Sequence, residues 1–355
     1  MKQLFKPLLP LLTLLTLLVS TTSQALENPA VIRFGSPIVG TGNRPIAYGS
    51  YYATAQTKAL FEQEFKKDGI RIEWNNFKGA GPAVNEAVAN NLLDITWEGD
   101  LPALIGKAGG LNTKLLLASG YINGNLVVPT NSPAQTIADL KGKKVSLFKG
   151  TATQLIAAKV YEANQLKEQD FRTISMDGNT GIAALTTGDV DALWTGSNAY
   201  QLVDRGVGRI ILDTRARSYE LGAQAFVLAH GEFEQKYPHI VQRIVNVLVR
   251  EAAWSSDPKN KTKALQLWAK SGIPYSSLAR DIEGQDFKRG QSPLLDPFFI
   301  NNIRKNVERA KKLALLQGEL NVDQWLEPKY LQQALKEEKL EQFWTTYDEQ
   351  GKPAA

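Results

Sequence analysis

The chain has 355 residues, of which 43% are apolar and 22% are charged, and its formal net charge is +5. This composition excludes an intrinsically disordered chain and allows two domains or one large two-lobed unit. The sequence contains no cysteine, which excludes disulfides, thiolate metal sites and cysteine nucleophiles.

The first 25 residues have the pattern of a secretory signal peptide. Lys2 and Lys6 precede an apolar run, Leu8–Val19, and Ser23-Gln24-Ala25 supplies small residues at a cleavage site. The apolar run is shorter than the roughly 20 residues that a membrane-spanning helix needs. We therefore expect cleavage after Ala25 and a periplasmic protein. The charge that remains is too small to indicate nucleic acid or an anionic membrane as a partner.

Short apolar runs alternate with helical patterns between residues 31 and 229. The predicted strands are Val31–Gly35, Ile70–Trp74, Asp94–Trp97, Lys114–Ala118, Asn125–Pro129, Lys144–Phe148, Phe171–Ser175, Val190–Trp194, Arg209–Leu212 and Ala225–Ala229. Alternation of strands and helices predicts an α/β protein whose mostly parallel sheets are covered by helices on both faces.

Two helical regions have clear signals. Ala53–Lys67 is predicted to be one helix with Phe61 and Phe65 on the same face, ended by Gly69. After Phe233 no strand pattern remains, and a strong helix is predicted to begin at Pro238. The predicted packing anchors of this helical tail are Trp268, Trp325 and Trp344.

Several helices are predicted to begin at glycine-containing junctions directly after strands. These junctions are Gly79-Ala80-Gly81-Pro82, Glu98-Gly99-Asp100-Leu101-Pro102, Asp177-Gly178-Asn179-Thr180 and Thr195-Gly196-Ser197-Asn198. Their unpaired N–H groups and the helix dipole favour an anion, and ligands of open parallel sheets bind beyond the carboxyl ends of the strands. The alternative is that these junctions only cap helices, as most such junctions do.

The stretch DLKGKKVSLFKGTATQ, residues 139–154, superficially resembles a phosphate loop. It lacks the G-x-x-x-x-G-K-[ST] spacing, so no nucleotide site is predicted. Thr136 and Asp139 are predicted to cap a short helix, and Thr151 with Gln154 is predicted to form a capping box. The functional part is then the helix start after Gly150, while Lys149 faces either the same cleft or solvent.

No catalytic or metal-binding arrangement is evident. His230 and His239 have neither a neighbouring carboxylate nor metal-ligand spacing, and Asp189 with Asp191 is interpreted as a turn. We therefore expect no enzyme activity, no cofactor and no metal. Trp194 ends a strand directly before a glycine loop, so it either lines the cleft or fills the core.

Three segments together resemble one family. They are Asn131–Val145 with Lys149-Gly150-Thr151, Gly79–Asp100, and Gly188-Asp189-Val190-Asp191-Ala192-Leu193-Trp194. They resemble periplasmic substrate-binding proteins of ABC transporters for alkanesulfonates, taurine and nitrate. The resemblance implies a two-lobed type II periplasmic-binding-protein fold with the ligand held between the lobes. It implies one lobe from residues 26–120 and 226–355, including the helical tail, and a second lobe from residues 121–225.

The resemblance and the junctions together give a set of candidate ligand-binding residues. The set is Gly40, Thr41, Asn43, Arg44, Gly81, Glu98, Gly99, Asp100, Lys149, Gly150, Thr151, Asn179 and Trp194. Glu98 stands where the family commonly has threonine, and the 36–45 loop looks longer than usual, with Arg44 as a donor for an oxyanion. Both differences suggest a bulkier ligand, such as an aromatic sulfonate or a sulfate ester.

The predicted function is that of a monomeric periplasmic receptor that binds a small organosulfur oxyanion and delivers it to an ABC permease. Alternative ligands are nitrate or an aromatic, pyrimidine-type precursor, and an alternative partner is a membrane sensor. Enzymes of the same fold that make pyrimidine precursors rely on histidine and a cysteine-rich segment, which this chain lacks.

Overall fold

The structure is a computed structural model that describes residues 27–215 and 219–354. The predicted signal peptide and its cleavage site lie outside these residues. In the described part of the chain, no helix combines the length and the apolar character needed to cross a membrane.

Ten strands occur in the described residues, each at the position of a predicted strand, with shifted ends. They are β1 (Val31–Ser36), β2 (Arg71–Asn76), β3 (Ile95–Gly99), β4 (Thr113–Ile122), β5 (Asn125–Pro129), β6 (Lys144–Ser146), β7 (Arg172–Ile174), β8 (Ala192–Thr195), β9 (Gly208–Asp213) and β10 (Ala223–His230).

The strands form two five-stranded sheets. The first has the order β2-β1-β3-β10-β4, and the second has the order β7-β6-β8-β5-β9. β1 is parallel to β2 and β3, and β6 is parallel to β7 and β8. β10 is antiparallel to both of its neighbours, as β5 is in the second sheet. Each sheet therefore has a single reversed strand, and the predicted mostly parallel α/β architecture is confirmed.

Helices flank both sheets and make up the C-terminal region. Their bounds are α1 (Tyr51–Thr57), α2 (Leu60–Phe65), α3 (Ala80–Ala89), α4 (Asp100–Ala108), α5 (Ala152–Ala163), α6 (Gly178–Thr187), α7 (Asn198–Asp204), α8 (Gly231–Lys236), α9 (Pro238–Ser256), α10 (Lys261–Ala269), α11 (Tyr275–Asp281), α12 (Phe287–Gly290), α13 (Pro297–Lys312), α14 (Val322–Trp325) and α15 (Lys329–Glu337). Short 3-10 helices span Thr41–Asn43, Lys66–Asp68, Ile137–Leu140, Glu168–Asp170 and Pro258–Asn260.

The prediction of a single helix over Ala53–Lys67 is wrong, because the structure has two helices, α1 and α2, in this region. Ala59 takes a left-handed conformation with φ of 53°, and this residue separates α1 from α2. The predicted apolar face is nevertheless present, because Phe61 and Phe65 are both fully buried. Helical periodicity therefore identified the buried face but gave no sign of the break.

Two chain segments connect the sheets, one between β4 and β5 and the other between β9 and β10. They are hydrogen-bonded to each other. The Gly124 amide donates to Thr214 Oγ1 at 2.9 Å, and the Thr214 amide donates to the Gly124 carbonyl at 3.0 Å. These reciprocal bonds hold the two crossings side by side at the base of the cleft between the sheets.

Each sheet has apolar packing on both faces. On one face of the first sheet Phe34 stacks on Phe61 and Trp74, with ring centroids 4.4 and 4.7 Å apart. On its other face Phe226 meets Phe299 of α13. The second sheet is covered in the same way, by α5 on one side and by α6 and α7 on the other.

The predicted helical tail is confirmed for the described residues, since no strand of either sheet follows β10. α9 begins at Pro238 as predicted. The three tryptophan anchors are buried, and each indole N–H has an acceptor. Trp268 donates to Ser50 O and Thr54 Oγ1, Trp325 to Thr113 Oγ1, and Trp344 to Ser256 Oγ.

Because Trp268 attaches the tail to the start of α1, we expect Trp268→Phe to lower the free energy of unfolding by about 2 kcal/mol. The phenyl ring leaves part of the indole volume empty and cannot donate to Ser50 O or Thr54 Oγ1. Urea unfolding measures the change. Tyr275→Phe, at a residue that is 41% exposed, is the control and should change stability little. A loss below about 0.5 kcal/mol for Trp268→Phe would contradict this role.

Candidate ligand site between the two sheets

Two of the predicted glycine junctions and the helix start after Gly150 meet at the edge of the cleft. A Cβ atom added to Gly99, at the start of α4, would lie only 2.7 Å from Ala152 Cβ of α5. One added to Gly150 would lie 3.2 Å from Pro82 Cγ of α3. Gly150 also has a positive φ of 75°, which favours glycine. The helix starts of the first sheet are therefore packed directly against the start of α5 in the second.

The capping box predicted at Thr151 and Gln154 is wrong. Thr151 is the N-cap of α5, but its hydroxyl donates backwards to Phe148 O at 2.7 Å and caps no amide. Gln154 Oε1 accepts from the Gly150 amide at 2.7 Å, one residue before the position that a capping box requires. The side chains of this junction fix the preceding turn, and the close approach to Pro82 follows from that turn.

Lys149 has a partner of its own. Its Nζ lies 2.9 Å from Glu168 Oε1, and the lysine side chain is 48% exposed. The predicted capping of the earlier helix is present, because Asp139 Oδ2 accepts from the amide and the hydroxyl of Thr136. Lys149 thus lies at the surface in an ion pair and does not line the cavity described below.

Glu98 is buried in β3, with 1% of its surface exposed. Burial raises the pKa of Glu98 to about 8, and the neighbouring Thr96 hydroxyl opposes this shift in part. Neighbouring strand residues point to opposite faces of the sheet, and Trp97 lines the cavity between the sheets. The Glu98 carboxyl therefore points away from that cavity and is mostly protonated at neutral pH.

Asp100 is the first residue of α4, and Gly99 is the N-cap of this helix. Its Oδ1 accepts from the Leu101 amide at 2.8 Å, and its Oδ2 accepts from Asn306 Nδ2 at 2.9 Å. Lys159 of α5 is also buried, and it donates to Gly222 O at 2.7 Å. Burial lowers the pKa of Lys159 to about 8, against the attraction of Asp100. Asp100 therefore belongs to the packing between α4, α5 and α13.

The loop with Gly40, Thr41, Asn43 and Arg44 packs on the helical tail. The Thr41 amide donates to Ser271 O at 2.8 Å, and Arg44 Nη1 lies 3.5 Å from Lys270 O. Thr41, Asn43 and Arg44 are exposed. The structure does not bring these residues to the cavity between the sheets.

Asn179 and Trp194 also lie outside this cavity. The Asn179 side chain is exposed, and its amide, like that of Thr180, donates to Asp177 Oδ1. Asp177 therefore already occupies the amides at the start of α6. Trp194 is 3% exposed and donates from Nε1 to Tyr161 Oη at 3.1 Å, so the core-filling alternative describes its position.

A cavity of about 150 Å³ lies between the sheets and the tail. Trp97 lines it from β3, Tyr48 and Gly49 from the segment before α1, and Gly196 and Ser197 from the loop after β8. The end of β4 and the crossing segment contribute Ser119, Tyr121 and Asn123, and the tail contributes Trp268, Asp281, Asp286, Phe287 and Gln291.

Sequence reasoning missed most of this wall. The Gly196-Ser197 turn was recognised as a junction, but Ser119 and Asn123 lie at a strand end that no loop pattern marked. Gln291 belongs to a polar helical stretch more than 160 residues away from Ser119 in the chain. The one available signal was the pair Asn123-Gly124 between two apolar strands, which is typical of a turn.

Polar atoms without partners surround the cavity. Ser119 Oγ, Asp281 Oδ1 and Gln291 Oε1 are buried and have no hydrogen-bond partner within the described residues. Burial raises the pKa of Asp281 to about 7, and Asp213 adds to the shift while Arg215 and Asn123 oppose it. Among the described residues that line the cavity there is no lysine or arginine. The site thus combines aromatic rings and neutral hydrogen-bonding groups with two carboxyl groups, Asp281 and Asp286, of which Asp281 is half protonated near pH 7.

The described residues contain no group of three or more His, Asp or Glu side chains able to hold a metal ion. His230 ends β10 and His239 Nε2 lies 2.9 Å from Asn28 Oδ1. Neither histidine lines the cavity. The groups around the cavity can therefore bind and orient a small molecule through hydrogen bonds and ring contacts.

Comparison with known proteins finds a matching family and related proteins. A sequence model of the family described as NMT1/THI5 like matches residues 52–261. A protein of Bacillus subtilis (strain 168) named for binding aliphatic sulfonates is 27% identical over 207 residues, which are 57% of this chain and 61% of that protein. The chain thus spans about three fifths of the length of this curated relative.

Two further matches are a solved structure and an enzyme. The crystal structure of a protein from Methylobacillus flagellatus KT, named as the periplasmic sulfonate-binding protein SsuA of a sulfonate ABC transporter, aligns with a TM-score of 0.77 and 31% identity. It covers 90% of this chain and 97% of that one. A 2'-hydroxybiphenyl-2-sulfinate desulfinase of Rhodococcus erythropolis is 29% identical over 162 residues, 43% of this chain and 41% of that protein.

The raised pKa of Glu98 gives a test of its buried position. The folded state holds this proton more tightly than the unfolded chain does, so the free energy of unfolding should fall as pH rises from about 4.5 to about 8. Each unit of pKa difference corresponds to about 1.4 kcal/mol. In Glu98→Gln this contribution is removed, so the variant should gain stability relative to the native chain between pH 5.5 and 8.5.

Urea unfolding at pH 5.5, 7 and 8.5 measures this difference. Glu283→Gln, at an exposed position, is the matched control and should follow the native chain at each pH. A constant difference between Glu98→Gln and the native chain across the three pH values would show that Glu98 does not titrate from a buried site.

Proposed function

The chain belongs to the NMT1/THI5-like family, and on that premise we propose that it is a periplasmic receptor that binds a small organosulfur oxyanion, a sulfonate or a sulfate ester, and delivers it to an ABC permease. The names of the sulfonate-binding relatives support the ligand class. The name of the Methylobacillus protein supports the permease partner. The signal peptide predicted at residues 1–25 supports export, and a monomer is the simplest form of such a receptor.

The observation that carries the proposal is the set of buried, unpartnered polar atoms around an aromatic cavity between the sheets. A buried polar group without a partner costs about 1–3 kcal/mol, so a ligand that supplies the missing partners is stabilised. The Ser119 hydroxyl and a protonated Asp281 can both donate to an oxyanion. Neutral donors in a site shielded from water bind anions without a full opposite charge.

The ligand's organic body fits the rest of the wall. Trp97, Trp268 and Phe287 present aromatic surface to the same cavity that Ser119 and Ser197 line. Aromatic rings contribute large contact areas and leave the polar groups to fix orientation. We propose that an alkyl or aryl group packs on these rings while the sulfonate head meets the hydroxyl groups.

The glycine junctions have a different role in this proposal. Gly99 and Gly150 allow the helix starts of the two sheets to approach each other, while Gly81 allows α3 to pack on Pro102 of α4 and Thr151 fixes the turn before α5. Ligand held between the sheets then favours this packed arrangement over an open one. Arg44, Lys149, Asn179 and Trp194 lie outside the cavity, so we assign them no direct contact with the oxyanion.

Desulfination is the second candidate function, because one relative is a sulfinate desulfinase. A protein of this fold named as the desulfurization enzyme DSZB was also solved as a cysteine-to-serine mutant with biphenyl-2-sulfinic acid. The present chain contains no cysteine, so any such reaction would have to proceed without a thiolate. Binding without chemistry therefore fits the side chains better.

A thermal-shift screen over alkanesulfonates, aryl sulfonates, sulfate esters, nitrate and carboxylates tests the ligand class. A ligand present at a hundred times its dissociation constant adds about 2.7 kcal/mol to stability, which raises the melting temperature by several degrees. We expect this for an organosulfur oxyanion and not for nitrate or carboxylates. A shift with nitrate alone, or with no sulfonate or sulfate ester, would contradict the proposal.

Substitutions in the cavity wall test where the ligand binds. Ser119→Ala and Ser197→Ala should reduce the ligand-induced shift, since each removes a hydroxyl from the cavity wall. Lys149→Ala and Arg44→Ala are the matched controls and should retain it, because both side chains are exposed and engaged elsewhere. The reverse pattern would place the anion at the lysine and arginine.

The pKa of Asp281, raised to about 7, predicts a pH dependence of binding. An anion binds more readily when this carboxyl is protonated, so affinity should fall as pH rises through about 7. Ionisation places a negative charge at the cavity wall, and we expect a loss on the order of tenfold between pH 6 and 8.5. In Asp281→Asn the dependence should disappear. Calorimetric titration at three pH values measures it, and equal pH dependence in both proteins would refute the assignment.

A further inference from the structure

A second, larger cavity lies between α5 and the C-terminal end of α13. Its volume is about 480 Å³, and it shares no lining residue with the cavity between the sheets. α5 packs on the core of the second sheet, and α13 packs on the first. The walls of this cavity, which we call the α5–α13 groove, therefore come from two different units of the fold.

One face of α5 forms the first wall. Gln154, Ala158, Tyr161 and Gln165 line the groove, and their spacing of three and four residues places them along one side of a helix. The opposite wall is the end of α13 and the segment that follows it, with Arg309, Lys312, Leu313 and Leu315.

The base of the groove is apolar. Tyr161 is 3% exposed and Leu166 is 7% exposed, so both are held by the core beneath them. Leu315 lies partly buried against α4 and α5. At the rim, Leu313 is 45% exposed, one of three large apolar side chains that the described residues leave in solvent. An apolar body entering the groove would cover this surface.

The charges around the groove are unbalanced. Glu162 Oε2 pairs with Arg309 Nε at 2.8 Å, and Glu168 pairs with Lys149. Both carboxylates that line the groove thus have cationic partners. Lys167 and Lys312 line the groove as well, and neither lies within ion-pair distance of a carboxylate in the described residues, although the charge of Lys312 helps to lower the pKa of Glu162. The rim therefore carries excess positive charge beside an apolar base.

We propose that the α5–α13 groove is a second binding site, for an amphipathic monoanion with an aryl or alkyl body and a single anionic head. The body packs on Tyr161, Leu166 and Leu315, and the head meets Lys312 at the rim. The volume lies within the range of small-molecule sites, about 300–1,000 Å³. This proposal does not rest on the function proposed for the cavity between the sheets.

The probe for the test is 8-anilinonaphthalene-1-sulfonate, which combines aromatic rings with one sulfonate group and can be followed by fluorescence and calorimetry. We expect Lys312→Glu to weaken its binding about tenfold, because the charge of the rim reverses at that position. We expect Ala158→Trp to abolish binding by filling the groove while every charge stays in place. Circular dichroism and melting curves establish that each variant is folded.

Two controls separate the groove from other sites. Because the probe is an aryl sulfonate, it can also enter the cavity between the sheets, so the variants are made in a Ser197→Phe background, in which that cavity is filled. Lys67→Glu makes the same charge reversal at an exposed lysine that does not line the groove, and in this background it should bind the probe as Ser197→Phe alone does. The proposal is overturned if the Ser197→Phe protein does not bind the probe, or if Lys312→Glu and Ala158→Trp both bind it normally in that background. The proposed function fails instead if no sulfonate or sulfate ester gives a thermal shift that Ser119→Ala reduces, so the two proposals can fail separately.

Discussion

The close packing of helix starts from the two sheets is the contact on which the geometry of the cleft depends. Gly99 lies so close to Ala152 that a Cβ atom would collide with it. Gly150 lies close to Pro82, and its positive φ disfavours any other residue. The paired crossings at Gly124 and Thr214 hold the two sheets at the base of the cleft. With these contacts fixed, the space that remains is the aromatic cavity, and the helical tail closes its side. Gly99 and Gly150 therefore contribute mainly by allowing close packing between the sheets, and less by exposing backbone amides to a ligand.

Much of the fold could be predicted from the sequence because its signals are local. Ten apolar runs separated by helical patterns gave the positions of all ten strands, and Pro238 marked the start of α9. The errors are local as well. The break at Ala59 depends on one left-handed residue that carries no glycine signal, and the hydroxyl of Thr151 bonds to Phe148 O instead of an amide. Such choices between nearly equivalent hydrogen bonds are decided by tertiary packing.

The candidate site was much less accessible to sequence reasoning. Loop patterns identified glycines that meet at the cleft edge. The charged side chains near them were predicted to bind the ligand, but they lie outside the cavity. Lys149 has its own partner in Glu168, and Arg44 lies on the tail. The cavity wall instead depends on Ser119 and on Gln291, which are brought together only when the tail packs on the first sheet. A binding site built from neutral side chains on distant segments has no characteristic residue spacing, so no sequence pattern predicts it.

The central claim is that an organosulfur oxyanion binds in the cavity between the sheets. A crystal structure with the sulfonate or sulfate ester that gives the largest thermal shift tests it most directly. The account predicts the sulfur group within hydrogen-bond distance of the Ser119 hydroxyl and Asp281, with the organic body against Trp97 or Trp268. Ligand bound at Lys149 or Arg44 instead, or only in the α5–α13 groove with the cavity filled by water, would contradict it.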